Sequence, residues 1–253
     1  LHYCHTGRNT HQATMFKAFL EYIGENNLIK KGDRALLAVS GGIDSMVMAH
    51  LFLRAGISAG IAHCNFSLRG AESDMDENLV KEFASEHGIP FYSIRFDTKK
   101  YASEKGISIQ MAARELRYTW FGKVMKENGY DVVAIAHNLN DNIETFLINL
   151  VRGTGLTGLT GIKNRRDYVI RPILFASRSS IEDYCRGNSI SFREDKSNAE
   201  TKYTRNKIRH QVIPLLRQIN PSVEQILYET SGRMQDINEI FNGFIVSAGK
   251  KIF

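Results

Sequence analysis

Short β-prone runs punctuate the first 140 residues: RALLAVS (34–40), ISAGIAHCNF (57–66), PFYSIRF (90–96) and DVVAIAH (131–137). Between them, apolar residues recur at the three- and four-residue spacing of an amphipathic helix. That spacing predicts helices over 15–29, from Asp44 through Leu53, over 72–88 and 108–129, and over 141–152, with glycines closing the third and fourth. Continuously apolar strands alternating with helices predict an α/β fold, a doubly wound parallel sheet covered on both faces. In such sheets ligands bind beyond the carboxyl ends of the strands, and the polar clusters 40–45, 63–70 and 137–144 all fall there.

Further on the pattern weakens. RGTGLTGLTG (152–161) reads as a flexible connection, YVIRPIL as a short extended stretch, and a helix starts at Ser179 or Ser180. KYTRNKIRHQVIPLLRQI (202–219) reads as an arginine-rich helix that Pro214 kinks or ends. The expected organisation is a tag or disordered extension over 1–14, a catalytic domain over 15–217, and the start of a helical linker over 218–253, in a chain read as truncated. His2, Cys4 and His5 belong to that extension.

Charge changes the picture. The chain carries a formal +6, yet residues 151–217 hold 14 Lys/Arg against 6 Asp/Glu. A basic block on an otherwise near-neutral chain suits a polyanion, because each neutralised phosphate releases counterions. No apolar run approaches the roughly 18 residues of a membrane span, so no membrane partner is expected. Three scattered cysteines (Cys4, Cys64, Cys185) without a C-x-x-C pair fit neither a disulfide framework nor a metal cluster, and point to the cytoplasm.

The chemistry starts at Ser40-Gly41-Gly42-Ile43-Asp44-Ser45, between a strand and a helix. Glycines let an anion approach the main chain, helix N–H groups and dipole favour phosphate, and two serines add hydroxyl donors. Asp44 would repel phosphate by itself and implies a bridging Mg²⁺. The lysine of the GxxxxGK[ST] loop is missing. Met46, Met48, Phe52 and Trp120 fall at core spacing, and His63 reads equally as a packed strand histidine.

S-G-G-x-D-S after a strand resembles the N-type ATP pyrophosphatases. HCNFSLRG, AARELRYTWF, AHNLNDNIETFLINLVRGTGLTGL, IRPIL…SRSSIEDYC and REDKSNAETKYTRNKIRHQVIPLL resemble, in order, the blocks of the tRNA(Ile)-lysidine synthetase family, over about Phe16 to Leu216. The resemblance implies that ATP is cleaved to AMP and pyrophosphate while free L-lysine is ligated to the wobble cytidine of isoleucine tRNA. It implies ATP contacts from Ser40 to Ser45, Asn65 and Arg114, a metal at Asp44, lysine contacts from Asp141 and Glu144, and catalytic roles for Asp44, Asp141 and Arg205. Arg152 also matches a family arginine, whereas Arg171 and Arg209 read as ion-pair partners. The family's H-x-x-D-D-Q-x-E-T is here His137-Asn138-Leu139-Asn140-Asp141-Asn142-Ile143-Glu144-Thr145, with asparagine in place of one acid and of the glutamine. Without the resemblance, Asp141 and Glu144 read as a helix-capping acid and a solvated glutamate. A homodimer is left open. Two alternatives stand: tRNA thiolation, for which Cys64 is the one candidate thiol, and a catalytically silent tRNA-binding fragment.

Overall fold

A computed structural model describes residues 6–194 and 204–249, with side chains over 14–194 and 204–245. His2, Cys4, His5 and the segment 195–203 lie outside the described residues. The chain divides into two compact units, residues 1–137 with 164–194, and residues 138–163 with 195–253. The boundary expected at residue 217 runs through the second unit. The chain instead crosses between units three times, after His137, after Lys163 and after Glu194.

The first unit holds a six-stranded sheet in the order β3-β2-β1-β4-β6-β5. Strands β1 (Ala35–Ala38), β2 (Ala59–Asn65), β3 (Phe91–Arg95), β4 (Val132–Ile135) and β6 (Val169–Ile170) run parallel, and β5 (Arg165–Arg166) pairs antiparallel with β6. Every residue of ALLA and VVAI is buried or nearly so, as strands covered on both faces must be. One face packs against α1 (Thr6–Glu25), α2 (Ile43–Arg54) and α7 (Arg178–Gly187), with Phe19, Met46, Met48 and Phe52 in that core. Phe19 and Phe52 meet edge to face at 5.5 Å. On the opposite face, Phe121 and Val124 of α5 (Ile109–Asn128) cover Leu36 and Val133, with Trp120 at the margin.

Helix α1 starts at Thr6, so residues 6–14, expected as a tag or disordered arm, continue the helix. Helix α3 (Ala71–Glu86) follows β2, and Ser108 caps α5 at one end while Gly129 closes it left-handed at φ 67°. Two elements are not expected from the sequence: α4 (Thr98–Lys105), capped by Asp97, and β5, whereas β6 falls within the extended stretch YVIRPIL. Among the described residues no helix is long and apolar enough to cross a membrane.

The second unit is helical. It comprises α6 (Leu139–Arg152), a 3₁₀ turn (Leu156–Thr160), α8 (Thr204–Lys207), a π-helical turn (Ile208–Val212), α9 (Ile213–Ile219) and α10 (Val223–Gly249). Its core joins Ile143, Phe146 and Leu147 to Ile208 and Ile213. Pro214 sits in the first turn of α9, where the arginine-rich segment changes from the π-helical turn to α-helix. The wider turn just before it ends with the Ile213 N–H donating to the Ile208 carbonyl, five residues back.

The glycine-rich stretch, expected to be flexible, is held in place. Asn149 Nδ2 donates to the Gly158 carbonyl at 2.8 Å and Gln235 Nε2 to the Thr160 carbonyl at 2.6 Å. At Gly161, φ is +63° and a Cβ would come within 2.2 Å of Asn142 Oδ1. That oxygen accepts from the Ile162 N–H, and Asn142 Nδ2 donates to Ser231 Oγ at 2.8 Å. Asn140 donates to Glu224 of α10. The two asparagines that depart from the family pattern therefore fasten α6 to the rest of its own unit.

Candidate active site

The chain leaves β1 through Val39-Ser40-Gly41-Gly42 and enters α2 at Ile43. The loop is laced by its own serines. Ser45 Oγ donates to the Gly42 carbonyl at 2.8 Å and accepts from the Ser40 N–H at 3.1 Å, while Ser40 Oγ lies 3.2 Å from Ser45 Oγ. Gly41 sits at φ +91°, a conformation that side chains rarely adopt, and a Cβ there would press on Asp76 at 3.4 Å.

Asp76, on α3, is buried and held by two arginines. Arg69 Nη2 and Arg193 Nε each donate to it at 2.8 Å. The Arg193 N–H also donates to the Gly41 carbonyl at 3.0 Å. The loop is thus pinned from outside by an Arg69–Asp76–Arg193 clasp, whose third member is 117 residues from the second.

Beside the loop, at the carboxyl ends of β1, β2 and β4, lies a cleft of about 230 Å³. This is the point where the strand order reverses across β1, the expected ligand position in such sheets. Ala38, Ala62 and Ala136 keep its floor low, Phe66 and Phe121 form apolar walls, and Ser40, Gly42, Asp44, Ser45, Arg117 and His137 supply the polar rim. Arg117 also lies over the Phe66 ring, 5.1 Å from its centroid. The first-turn N–H groups of α2 and its dipole favour an anion there.

Asp44 is 29% exposed and accepts from Arg178 Nη1 at 3.0 Å. No three His, Cys, Asp or Glu side chains gather as a metal site among the described residues. A single carboxylate at a phosphate loop does fit a magnesium ion carried by the phosphates, which needs one or two protein carboxylates and otherwise substrate oxygens and water.

Of the sequence-predicted residues, Ser40, Gly42, Asp44 and Ser45 line this cleft, and Gly41 shapes the loop. Ile43 puts its side chain in the core, leaving its main chain for a ligand. Asn65 does not line the cleft. It is 1% exposed, donates to Asp74 and Glu77 at 3.0 and 2.9 Å, and accepts from the Ser67 N–H at 3.0 Å. These bonds fix the β2–α3 connection.

Arg114 stands apart from this cleft. It lines a different cavity and stacks on Tyr118, while Arg117, one turn along the same helix, takes the place at the cleft. His63 is a packed strand histidine, its Nδ1 2.9 Å from the Val39 carbonyl, and burial lowers its pKa. Cys64 lines the cleft, but burial pushes its thiol up to about 12, so at neutral pH it is protonated and a poor nucleophile.

The second unit gathers the remaining predicted residues. Asn138 caps α6 and Asp141 completes a capping box: Asn138 Oδ1 accepts from the Asp141 N–H at 3.0 Å, and Asp141 Oδ2 from the Asn138 N–H at 3.2 Å. The capping alternative therefore holds for Asp141, whose other oxygen still faces Arg209 Nη2 at 3.6 Å and Arg205 Nη1 at 3.8 Å. Arg205 Nη2 donates to Thr145 Oγ1 at 2.9 Å and its Nε lies 3.7 Å from Glu144. The solvated-glutamate alternative fails for Glu144: it is 0% exposed, and Arg209 grips both its oxygens from the π-helical turn. Burial raises the Glu144 pKa against the opposing pull of Arg209. Arg152 is exposed at the end of α6.

A family model described as "PP-loop domain" matches residues 9–216. The chain is also 40% identical to the tRNA(Ile)-lysidine synthase of Chlorobaculum tepidum, with 88% of this chain and 70% of that protein covered. The chain belongs to the tRNA(Ile)-lysidine synthase family of PP-loop proteins. The synthase of Bacteroides thetaiotaomicron is 45% identical over 233 residues, 92% of this chain and 55% of that protein. The chain spans about half the length of several such relatives. Among solved structures, the U34-tRNA thiolase of Methanococcus maripaludis with its [4Fe-4S] cluster matches at TM-score 0.74 and 17% identity, covering 90% of this chain and 80% of that one. At that identity the likeness establishes the fold. The serine-laced turn at Ser40–Ser45 and the Asp76 clasp both lie within the residues matched by the PP-loop domain.

Proposed function

We propose that the protein ligates L-lysine to the wobble cytidine of an isoleucine tRNA in the cytoplasm, converting ATP to AMP and pyrophosphate. The observation that carries this reading is a lysine-free phosphate loop at the sheet's switch point in a chain 45% identical to a tRNA(Ile)-lysidine synthase. A cytosine carbonyl oxygen is too poor a leaving group for direct displacement by an amine. Its attack on the ATP α-phosphorus forms an O–P bond and breaks the bond to pyrophosphate. The lysine ε-amine then forms a C–N bond at the ring carbon, the C–O bond breaks with AMP carrying the oxygen away, and the amine proton passes to a base.

In this reading Ser40 and the α2 N-terminus hold the phosphates, and Ser45 preserves the loop's shape. Asp44 would hold a magnesium ion arriving with ATP, which supplies neutralising charge for the departing pyrophosphate. Arg117 and Phe66 flank the adenosine. Asp141 receives the lysine amine and is the candidate base, Arg205 neutralises phosphate charge, and Glu144 with Arg209 keeps Asp141 and Arg205 in place. The neutral Cys64 thiol disfavours thiolation.

The test is mass spectrometry of isoleucine tRNA incubated with the protein, ATP and isotopically labelled lysine. Label at the wobble base is expected. Intact tRNA binding without label or pyrophosphate would instead mark a silent binding fragment. Asp141→Asn retains an acceptor for the Asn138 N–H, so α6 should persist. Its rate is expected to stay linear in lysine where the wild type saturates, and an unchanged lysine dependence would remove Asp141 from this role.

A further inference from the structure

A second cavity, of about 480 Å³, opens in the first unit between α5 and the β5–β6 hairpin. Residues Met111, Arg114, Glu115 and Tyr118 fall on one face of α5, while register places Arg166 opposite Val169 across a turn at Asp167, which has φ +55°. Arg171 forms its floor.

Three guanidiniums thus converge against two carboxylates, Glu115 and Asp167, and one of the three, Arg171, is 7% exposed. Burial lowers the Arg171 pKa, the Tyr118 hydroxyl supports its charge, and Arg114 and Arg166 push against it. Gathering like charges costs energy that an anion in the cavity would recover. Arginine forks suit phosphate oxygens, and the volume lies within the roughly 300–1,000 Å³ of small-ligand sites. Met111, half exposed, and Tyr168 offer apolar surface for a base. Arg166 and Arg171 come from the basic block, whose purpose the nucleotide cleft leaves unexplained.

We propose that this cavity is a second nucleotide subsite, taking one phosphate-bearing unit of the RNA substrate, apart from the ATP cleft. The proposal rests on the reading of the protein as a tRNA-modifying enzyme. Unstacked nucleotides of a single-stranded loop are the RNA elements that side chains can hold in this way. Arg171 also connects the two cavities, because its Nε donates to His137 Nδ1 at 3.1 Å and His137 lines the cleft. An occupant of the subsite therefore bears on the rim of the nucleotide cleft through a single side chain.

Arg166 is exposed, so its replacement leaves the core untouched. Binding of an isoleucine tRNA transcript across a salt series, with Arg166→Ala and Arg166→Lys beside the wild type, reads the subsite directly. Arg166→Ala is expected to weaken tRNA binding about tenfold and to reduce the slope of log affinity against log salt by about 1, as for one lost phosphate contact. Arg166→Lys should restore the slope, and ATP affinity should be the same in all three proteins. Unchanged tRNA affinity and slope in Arg166→Ala, with a wild type that binds tRNA and incorporates labelled lysine, would overturn the subsite alone. Two ATP molecules per wild-type chain, falling to one in Arg166→Ala, would assign the cavity to free nucleotide and overturn the RNA source. A wild type that binds no tRNA would overturn subsite and function together.

Discussion

Asp44→Asn is expected to abolish AMP formation while leaving the fold intact. The side chain is partly exposed and its ion pair with Arg178 is of the surface type, contributing at most about 1 kcal/mol. Asparagine keeps the shape and loses the charge, and amide oxygens are weak ligands for a hard dication. The effect should therefore appear where phosphate charge must be balanced. Titration of ATP with and without magnesium separates the cases: the wild type should gain affinity from the ion, and the variant should not. Normal AMP yield from the variant, or a preserved gain from magnesium, would refute the role given to Asp44. The clasp at Asp76 is untouched by this change, so the loop should still present its serines and helix N-terminus.

The part of this site that could be read from sequence was the part made of contiguous residues. The run 34–45 combines an apolar strand, two glycines and a helix start, and each signal is local; so too are Ser108 and Gly129 at the ends of α5. Arg193 reaches Arg69 and Asp76 only through the tertiary fold, so the complete clasp left no sequence pattern. Arg114 and Arg117 lie three residues apart on one helix. Which of them turns toward the cleft depends on how α5 packs on the sheet, which periodicity alone does not give. Strand β6 lies within the extended stretch YVIRPIL, but β5 is two residues long and outside it, too short for any alternation to register. Asn65 was ambiguous for a different reason: a polar residue at a strand end can face the ligand or tie down the next loop, and the composition of both outcomes is the same.

Glu144 shows the same limit with larger energetic consequences. Its spacing from Asp141 put both on one helical face, yet the sequence could not say that this face was closed. Arg209→Ala is expected to destabilise the protein by about 3 kcal/mol, because it strands a carboxylate that is 0% exposed. That is the lower end of the range for breaking a buried pair. Arg209 itself is 35% exposed, and Arg205 remains 3.7 Å from the same carboxylate. The sign of the pH dependence follows from burial. An acid whose folded pKa is raised binds its proton more tightly in the native state, so its contribution is complete below the unfolded pKa and is lost as pH rises through the folded value. Removing Arg209 takes away the main group opposing that rise. The variant's deficit should therefore be smallest below the ordinary carboxylate range and grow toward neutral pH, as read by urea unfolding at a series of pH values. Adding Glu144→Gln to the variant removes the stranded charge and should recover most of the loss at pH 7 with little effect at pH 4. A deficit that is flat with pH, or one that the double variant fails to relieve, would mean that Arg209 stabilises the second unit through packing of its stem and not through the charge of Glu144.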